Sequence, residues 1–378
     1  MCYERPVSAP NVAIDVTPLI GIRTGIGHAV AATTAALMSS VDPPALVPYA
    51  LSLHARDHRV HLPESTRFPL IPARVALRAW TRAEHPRIDR WIRGADVLHA
   101  TNFLAPPSRL PTVVTIHDCA FVRYPELVTP EMRAIEPVVR RAVERGAVIH
   151  APSRFVAHEV DEIFGPGLTR AGRVRVIPWG VPPVLRDLGL SAAIESAIAG
   201  RPFVLSMAAL EPRKNLPHLV AAFGHFANLV DDHLLVLAGP DGSATRAVNE
   251  AIQHLTPGAQ ARVLRIGAVD DRDRSALLHR AAVLAYPSIS EGFGFPVLEA
   301  MIAGTPVVAA RAGSIPEIAG DAAELVEATD EAGLAARLAS VLGPARRADL
   351  IDRGRVVAER FSWERTAAAL VELYRELT

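Results

Sequence analysis

Two cysteines in 378 residues, Cys2 and Cys119, are too few for a disulfide framework and leave a thiolate zinc site short of ligands. Charge of one sign is also missing, since Lys plus Arg and Asp plus Glu each number 40. That balance excludes the chain-wide basic footprint of a nucleic-acid binder and an acidic solvating tail. No apolar run approaches the ~18 residues of a membrane-spanning helix. The first residues, MCYERPVSAP, show no basic stretch followed by an apolar run, so no secretory signal is expected. Fourteen histidines include no His-Glu-x-x-His or comparable zinc spacing. Together these absences predict a soluble cytoplasmic protein. The scarcest charged residue is lysine: Lys214 stands alone against 39 arginines. It is either a chance survivor in an arginine-rich chain or a position that needs a compact, rotatable ammonium.

What is present is ordinary globular material, 50% apolar and 21% charged, enough for two cores. Short apolar runs alternate with longer helical stretches. Strands are expected at 12–16, 97–100, 112–116 and 148–151, with helices at 25–40, 131–145 and 154–163. The run VRVIPWGVPP (174–183), with three prolines and a glycine, reads as a linker. A second series follows, with strands at 203–207, 234–238, 263–266, 283–285 and 306–309. Helices at 216–229, 244–254, 271–280 and 296–303 fall between them. Strands alternating with helices predict parallel βαβ units and an α/β fold of two Rossmann-like domains, 1–180 and 190–360. An amphipathic helix capped by Ser362 closes the chain over 361–378.

The segment YPSISEGFGFPVLEAMIAGTPVV (286–308) carries the strongest chemistry. A strand ends near Ala285, a loop with Gly292 and Gly294 follows, and Pro296 suits the start of a helix. The glycines allow a close backbone approach and the helix start supplies N–H groups, which together favour phosphate. Glu291 before the loop and Glu299 inside the helix suit a ligand with hydroxyls on both sides of its phosphates, as in a nucleotide-sugar. Each alone could be a glycine turn and a carboxylate favoured by the helix dipole. In SMAALEPRKN (206–215), Arg213 and the lone lysine stand side by side after a strand, where open α/β sheets bind ligands. Two fixed cations there would stabilise charge building on a departing nucleotide.

EPRKN (211–215), the 286–310 segment and GSIPEIAGDAA (313–323) resemble the donor half of glycosyltransferase family 4. Glu291 and Glu299, with seven residues between them, match its paired-glutamate motif. TGIGHA (24–29), TIHD (115–118), APSRFVAHEV (151–160) and VIPWGV (176–181) resemble its N-terminal half more loosely. The resemblance implies a GT-B fold, with parallel sheets facing across a cleft, and retaining, metal-independent hexosyl transfer without a cofactor. The substrates implied are a nucleotide-diphospho-sugar, GDP-mannose favoured, and a carbohydrate, lipid-linked or small-molecule acceptor. It also implies residue roles. Arg213 and Lys214 would bind the diphosphate, Glu291 the sugar hydroxyls and Glu299 the ribose. Backbone groups around Gly292, Phe293, Gly294 and Phe295 would hold phosphate or sugar oxygens. Gly25 and Gly27 would bring a loop against the phosphates, and His117 would sit by the anomeric centre. Three positions depart from the pattern: Ala208 replaces a usual glycine, Trp179 a usual asparagine, and His28-Ala29 a commoner Arg-Tyr. A nucleotide-sugar epimerase, a phosphorylase and a non-catalytic binding protein are the competing readings.

Weaker signals read more plainly. GIGHAV (25–30) fits a dinucleotide-binding glycine pattern, but about eight residues separate it from the preceding strand, where that fingerprint allows none. Asp270, Asp271 and Asp273 read as a helix start rather than a metal site. Cys119 reads as a buried structural thiol. Residues 74–93 hold six arginines with Trp80 and Trp91. A solvated helical face is expected there, with peripheral contact to an anionic membrane as the alternative.

Overall fold

The computed structural model describes residues 9–21, 25–52, 62–69, 73–181, 184 and 189–378. Cys2, Thr24, Pro182 and Pro183 of the sequence motifs lie outside them. The chain divides into two units, residues 1–182 together with Phe361–Thr378, and residues 183–360.

In the first unit six strands form one parallel sheet: β1 (Asn11–Asp15), β2 (Ala45–Tyr49), β3 (Val97–Ala100), β4 (Thr112–Thr115), β5 (Val148–Ala151) and β6 (Val174–Val176). Their order is β2-β1-β3-β4-β5-β6. All four residues of β3 and of β5 are buried, as expected of strands covered on both faces, and each strand carries one histidine, His99 and His150, among its apolar residues. β2 escapes periodicity because Pro48 interrupts it, and proline is tolerated there because β2 is an edge strand. The proline-rich run at 174–183 begins as β6, so its first three residues belong to the sheet. The helix expected over 131–145 is two pieces, Pro130–Arg133 and Glu136–Glu144, the second carrying Pro137 in its first turn.

The helix expected within 74–93 ends at Trp80. The Trp80 indole is buried, and its Nε1 donates to the Pro86 carbonyl at 3.0 Å. It packs with Tyr49, Ile88 and Ile92, so Trp80 is core and not part of a solvated or membrane-facing surface. Trp363–Glu376, capped by Ser362 Oγ accepting from Arg365 N–H, packs Leu370, Val371 and Tyr374 against Val12, Ile14 and Val97. All four tryptophans, Trp80, Trp91, Trp179 and Trp363, lie in this unit.

The second unit holds β7 (Phe203–Met207), β8 (Leu234–Ala238), β9 (Val263–Gly267), β10 (Val283–Tyr286), β11 (Val307–Ala310) and β12 (Glu324–Val326). The parallel order is β12-β11-β10-β7-β8-β9. From β7 the chain winds outward through β8 and β9, then returns to place β10 on the other side of β7. That reversal makes a topological switch point between β7 and β10. Helices Glu331–Ser340 and Pro344–Ala358 complete the unit and were not anticipated from sequence. No helix among the described residues is long and apolar enough to cross a membrane.

Candidate active site

Arg213 and Lys214 sit in a single turn of 3-10 helix, Pro212–Lys214, reached from β7, and Glu291 follows β10. The switch point therefore brings the two sequence motifs together. Lys214 Nζ donates to Glu291 Oε1 at 2.6 Å. Arg213 Nη1 donates to Glu291 Oε2 at 3.0 Å and to the Ser290 carbonyl at 2.7 Å. The backbone adds a tie, Ile289 N–H to the Arg213 carbonyl at 2.9 Å. Two cations on one carboxylate leave this cluster with a net positive charge. Burial alone would raise the Glu291 pKa, but Lys214 and Arg213 outweigh it and bring it down to about 2. Glu291 is an anion at any ordinary pH and accepts hydrogen bonds only.

Two further residues fix this geometry, and neither was singled out from sequence. Asn215 adopts a left-handed conformation (φ 54°) and donates Nδ2 to the Ala328 carbonyl at 2.9 Å, which anchors the turn. Its position in Glu-Pro-Arg-Lys-Asn is the signal, because asparagine tolerates that conformation. Gly313 (φ 59°) lies under Glu291: a Cβ there would fall 2.4 Å from the Glu291 carbonyl oxygen. Beside it, Ser314 N–H donates to the same oxygen at 2.8 Å. The buried Ser314 hydroxyl has no hydrogen-bond partner among the described residues.

Gly292, Phe293 and Gly294 link β10 to the helix Phe295–Ala303. Gly294 is its N-cap at φ 95°, and a Cβ there would fall 2.5 Å from Ile315 Cδ1. Glycine is thus demanded by backbone conformation and packing at this point. Phe293 and Phe295 stack edge to face at 5.1 Å. Glu299, one turn into the helix, is buried and bonds Arg274 Nη1 at 2.7 Å. Burial raises its pKa against the opposing pull of Arg274. Arg274 lacks any local sequence sign, being one arginine among 39.

In the first unit His117 follows β4 and is almost fully buried. Its Nε2 lies 2.8 Å from the Thr101 carbonyl. Desolvation lowers its pKa, so the imidazole is neutral at neutral pH. Gly25 and Gly27 fall inside the first turn of the helix Gly25–Met38, where the helix expected over 25–40 begins, rather than in the loop that the resemblance implies. Among the described residues, a Cβ on Gly25 would meet nothing within 4 Å, so none of them requires glycine there. Asp270 caps its helix as expected, accepting from Asp273 N–H at 2.8 Å. Cys119 is buried. Among the described residues no group of three or more His, Cys, Asp or Glu is placed to hold a metal ion.

Residues 192–357 match the model of glycosyl transferases group 1, and residues 42–184 that of glycosyltransferase family 4. The D-inositol 3-phosphate glycosyltransferase of Xylanimonas cellulosilytica is 30% identical over 79% of this chain and 75% of its own. The O-antigen chain mannosyltransferase B of Escherichia coli is 28% identical over 78% and 79%. Among solved structures, sucrose-phosphate synthase of Thermosynechococcus elongatus superposes with a TM-score of 0.72 at 21% identity, covering 97% of this chain and 99% of that one. HepE of Anabaena, solved with UDP and glucose, superposes with a TM-score of 0.70 at 18% identity, covering 97% and 100%.

Proposed function

The chain belongs to this glycosyltransferase family and has its GT-B fold, and on that premise we propose a retaining transfer of a hexose from a nucleotide-diphospho-sugar. The observation that carries the reading is the Arg213–Lys214–Glu291 cluster at the β7–β10 switch point. A nucleotide-sugar carries a diphosphate joined to a polyhydroxyl ring, and the cluster offers cations and a permanent acceptor side by side. An ammonium has three donors, and the bond from Lys214 to Glu291 uses one of them. Arg213 and Lys214 would meet the charge that develops on the departing nucleotide. Glu299, held by Arg274, would take the ribose hydroxyls.

In this reading Glu291 is not a covalent nucleophile. Its oxygens hold sugar hydroxyls, and neutral His117 contributes Nδ1 as a further acceptor. The acceptor hydroxyl attacks the anomeric carbon from the side on which the carbon–phosphate oxygen bond breaks. Its proton passes to the departing phosphate oxygen, so the configuration is kept. GDP-mannose is the favoured donor, supported by the wording of 292–301 and by the mannosyltransferase among the relatives. Leaving-group charge is met by side chains and backbone, so turnover should persist in EDTA. A complete loss restored by divalent metal would overturn that part.

A thermal-shift screen across nucleotide-sugars tests the donor, because a ligand at about 100 times its Kd adds about 2.7 kcal/mol. Proton NMR of the product tests the stereochemistry, and an inverted linkage refutes retention. Release of free epimer without an acceptor would instead favour an epimerase.

A further inference from the structure

A buried hydrogen-bond chain crosses the first unit, and each of its protons can be placed. His150 Nε2 lies 2.8 Å from the Ile177 carbonyl, which can only accept, so Nε2 carries the proton. In a neutral imidazole the other nitrogen is then an acceptor. Thr115 Oγ1, 3.0 Å from His150 Nδ1, must donate to it. Having given up its proton there, Oγ1 accepts from His99 Nε2 at 2.8 Å. His99 Nδ1 in turn accepts from the Tyr374 hydroxyl at 2.6 Å. His99, Thr115, His150 and Tyr374 have no exposed surface. Desolvation keeps both histidines neutral, His99 well below its ordinary value and His150 at about 4, as this arrangement requires.

The chain ends on the backbone two residues before Trp179, and Trp179 is boxed in. His150 meets it edge to face at 4.5 Å, and Trp363 lies at 6.0 Å. Thr366 Oγ1 donates to the Pro178 carbonyl at 2.7 Å. Gly180 runs so close to the closing helix that a Cβ would fall 2.3 Å from the Trp363 nitrogen. The ring so held lies near-parallel to His117, 25° between planes and 5.9 Å between centroids. Phe103 meets the imidazole edge to face, with centroids 5.4 Å apart. The Thr101 carbonyl takes the Nε2 proton, by the same reasoning as for His150.

We propose that Trp179 is a positioning residue for His117, setting the plane of the imidazole so that Nδ1 accepts a sugar hydroxyl. The Tyr374–His99–Thr115–His150 chain in turn holds Trp179. The usual asparagine at this position would offer no ring face to the imidazole. The proposal rests on the role given to His117 above.

The full chain, labelled with 15N at histidine, tests it without substrate. Long-range proton–nitrogen correlations should show His99, His117 and His150 all protonated at Nε2. Trp179→Phe keeps a ring and should leave the His117 signals in that form. Trp179→Leu should move them toward a mixture of tautomers. With whichever of GDP-mannose and UDP-glucose turns over, Trp179→Leu should lower kcat about tenfold or more and leave KM within about threefold. Thr115→Val keeps the shape but removes the donor to His150, and should move the His150 and His117 signals even if Trp179→Leu does not fold. Unchanged His117 signals in either folded variant overturn the proposal. Moved signals with unchanged kcat leave Trp179 as a positioning residue and overturn the role of His117 itself.

Discussion

Lys214 carries the only side-chain ammonium in the chain, and one of the three donors on its flexible stem bonds Glu291. Lys214→Arg keeps the charge but replaces a rotatable point with a rigid planar fork. It should lower turnover about tenfold or more, with the melting temperature little changed. Wild-type turnover would return the lysine to chance survival in an arginine-rich chain. Glu291 gives a pH signature of definite sign. Folded it titrates at about 2, against 4.5 ordinarily. Its stabilisation is therefore complete above about pH 4.5 and is lost as pH falls toward 2, about 3 kcal/mol in all. Glu291→Gln should flatten that part of the acid-unfolding profile, measured by urea denaturation between pH 5 and pH 2. The glutamate spacing and the lone lysine were legible because both are local in sequence. The Glu299 partner, Arg274, was not, because its neighbour is 25 positions away and its residue type is everywhere.

At the scale of elements, the Gly313 turn and the Gly25 helix start make a matched pair. Gly313 combines a positive φ with a carbonyl 2.4 Å from any Cβ. Gly313→Ala must push the Glu291 backbone away and should cost on the order of 2 kcal/mol or more. Calorimetry should show the second unit melting several degrees lower, with weakened nucleotide-sugar binding. Gly25→Ala meets no atom of the described residues within 4 Å and should leave the melting temperature unchanged. Any loss of turnover in that variant then measures a ligand passing close to residue 25. Strands that are short apolar runs, such as Leu234–Ala238 and Val283–Tyr286, were readable at once. Those that escaped carry an interrupting proline, as Ala45–Tyr49 does, or are three residues long, as Glu324–Val326 is. Within 74–93 the helix stops at Trp80, and Arg78, Arg82, Arg90 and Arg93 are exposed while Trp80, Ile88 and Ile92 build a core that arginine spacing alone does not show.

For the whole molecule, the two units report on themselves separately. Arg213, Lys214, Glu291 and Glu299 all lie in the second unit, and every tryptophan lies in the first. Adding GDP should raise the calorimetric transition of the second unit more than the transition followed by tryptophan fluorescence. Equal shifts would show that the units melt as one. Alternating strands and helices made the two α/β series legible, but an amphipathic pattern over 363–376 shows only that the helix has a buried face. Which unit buries it is decided by Leu370, Val371 and Tyr374, whose partners Val12, Ile14 and Val97 lie more than 250 residues earlier. That distance has a consequence on the ribosome. Residues 361–378 are synthesised after the whole of 183–360, so the first unit must wait for them while the second already has all its parts. Nascent chains usually complete domains from the N-terminus onward. Here the order is reversed, and the earlier half emerges with the apolar seat of its missing helix open to whatever chaperone the cell supplies.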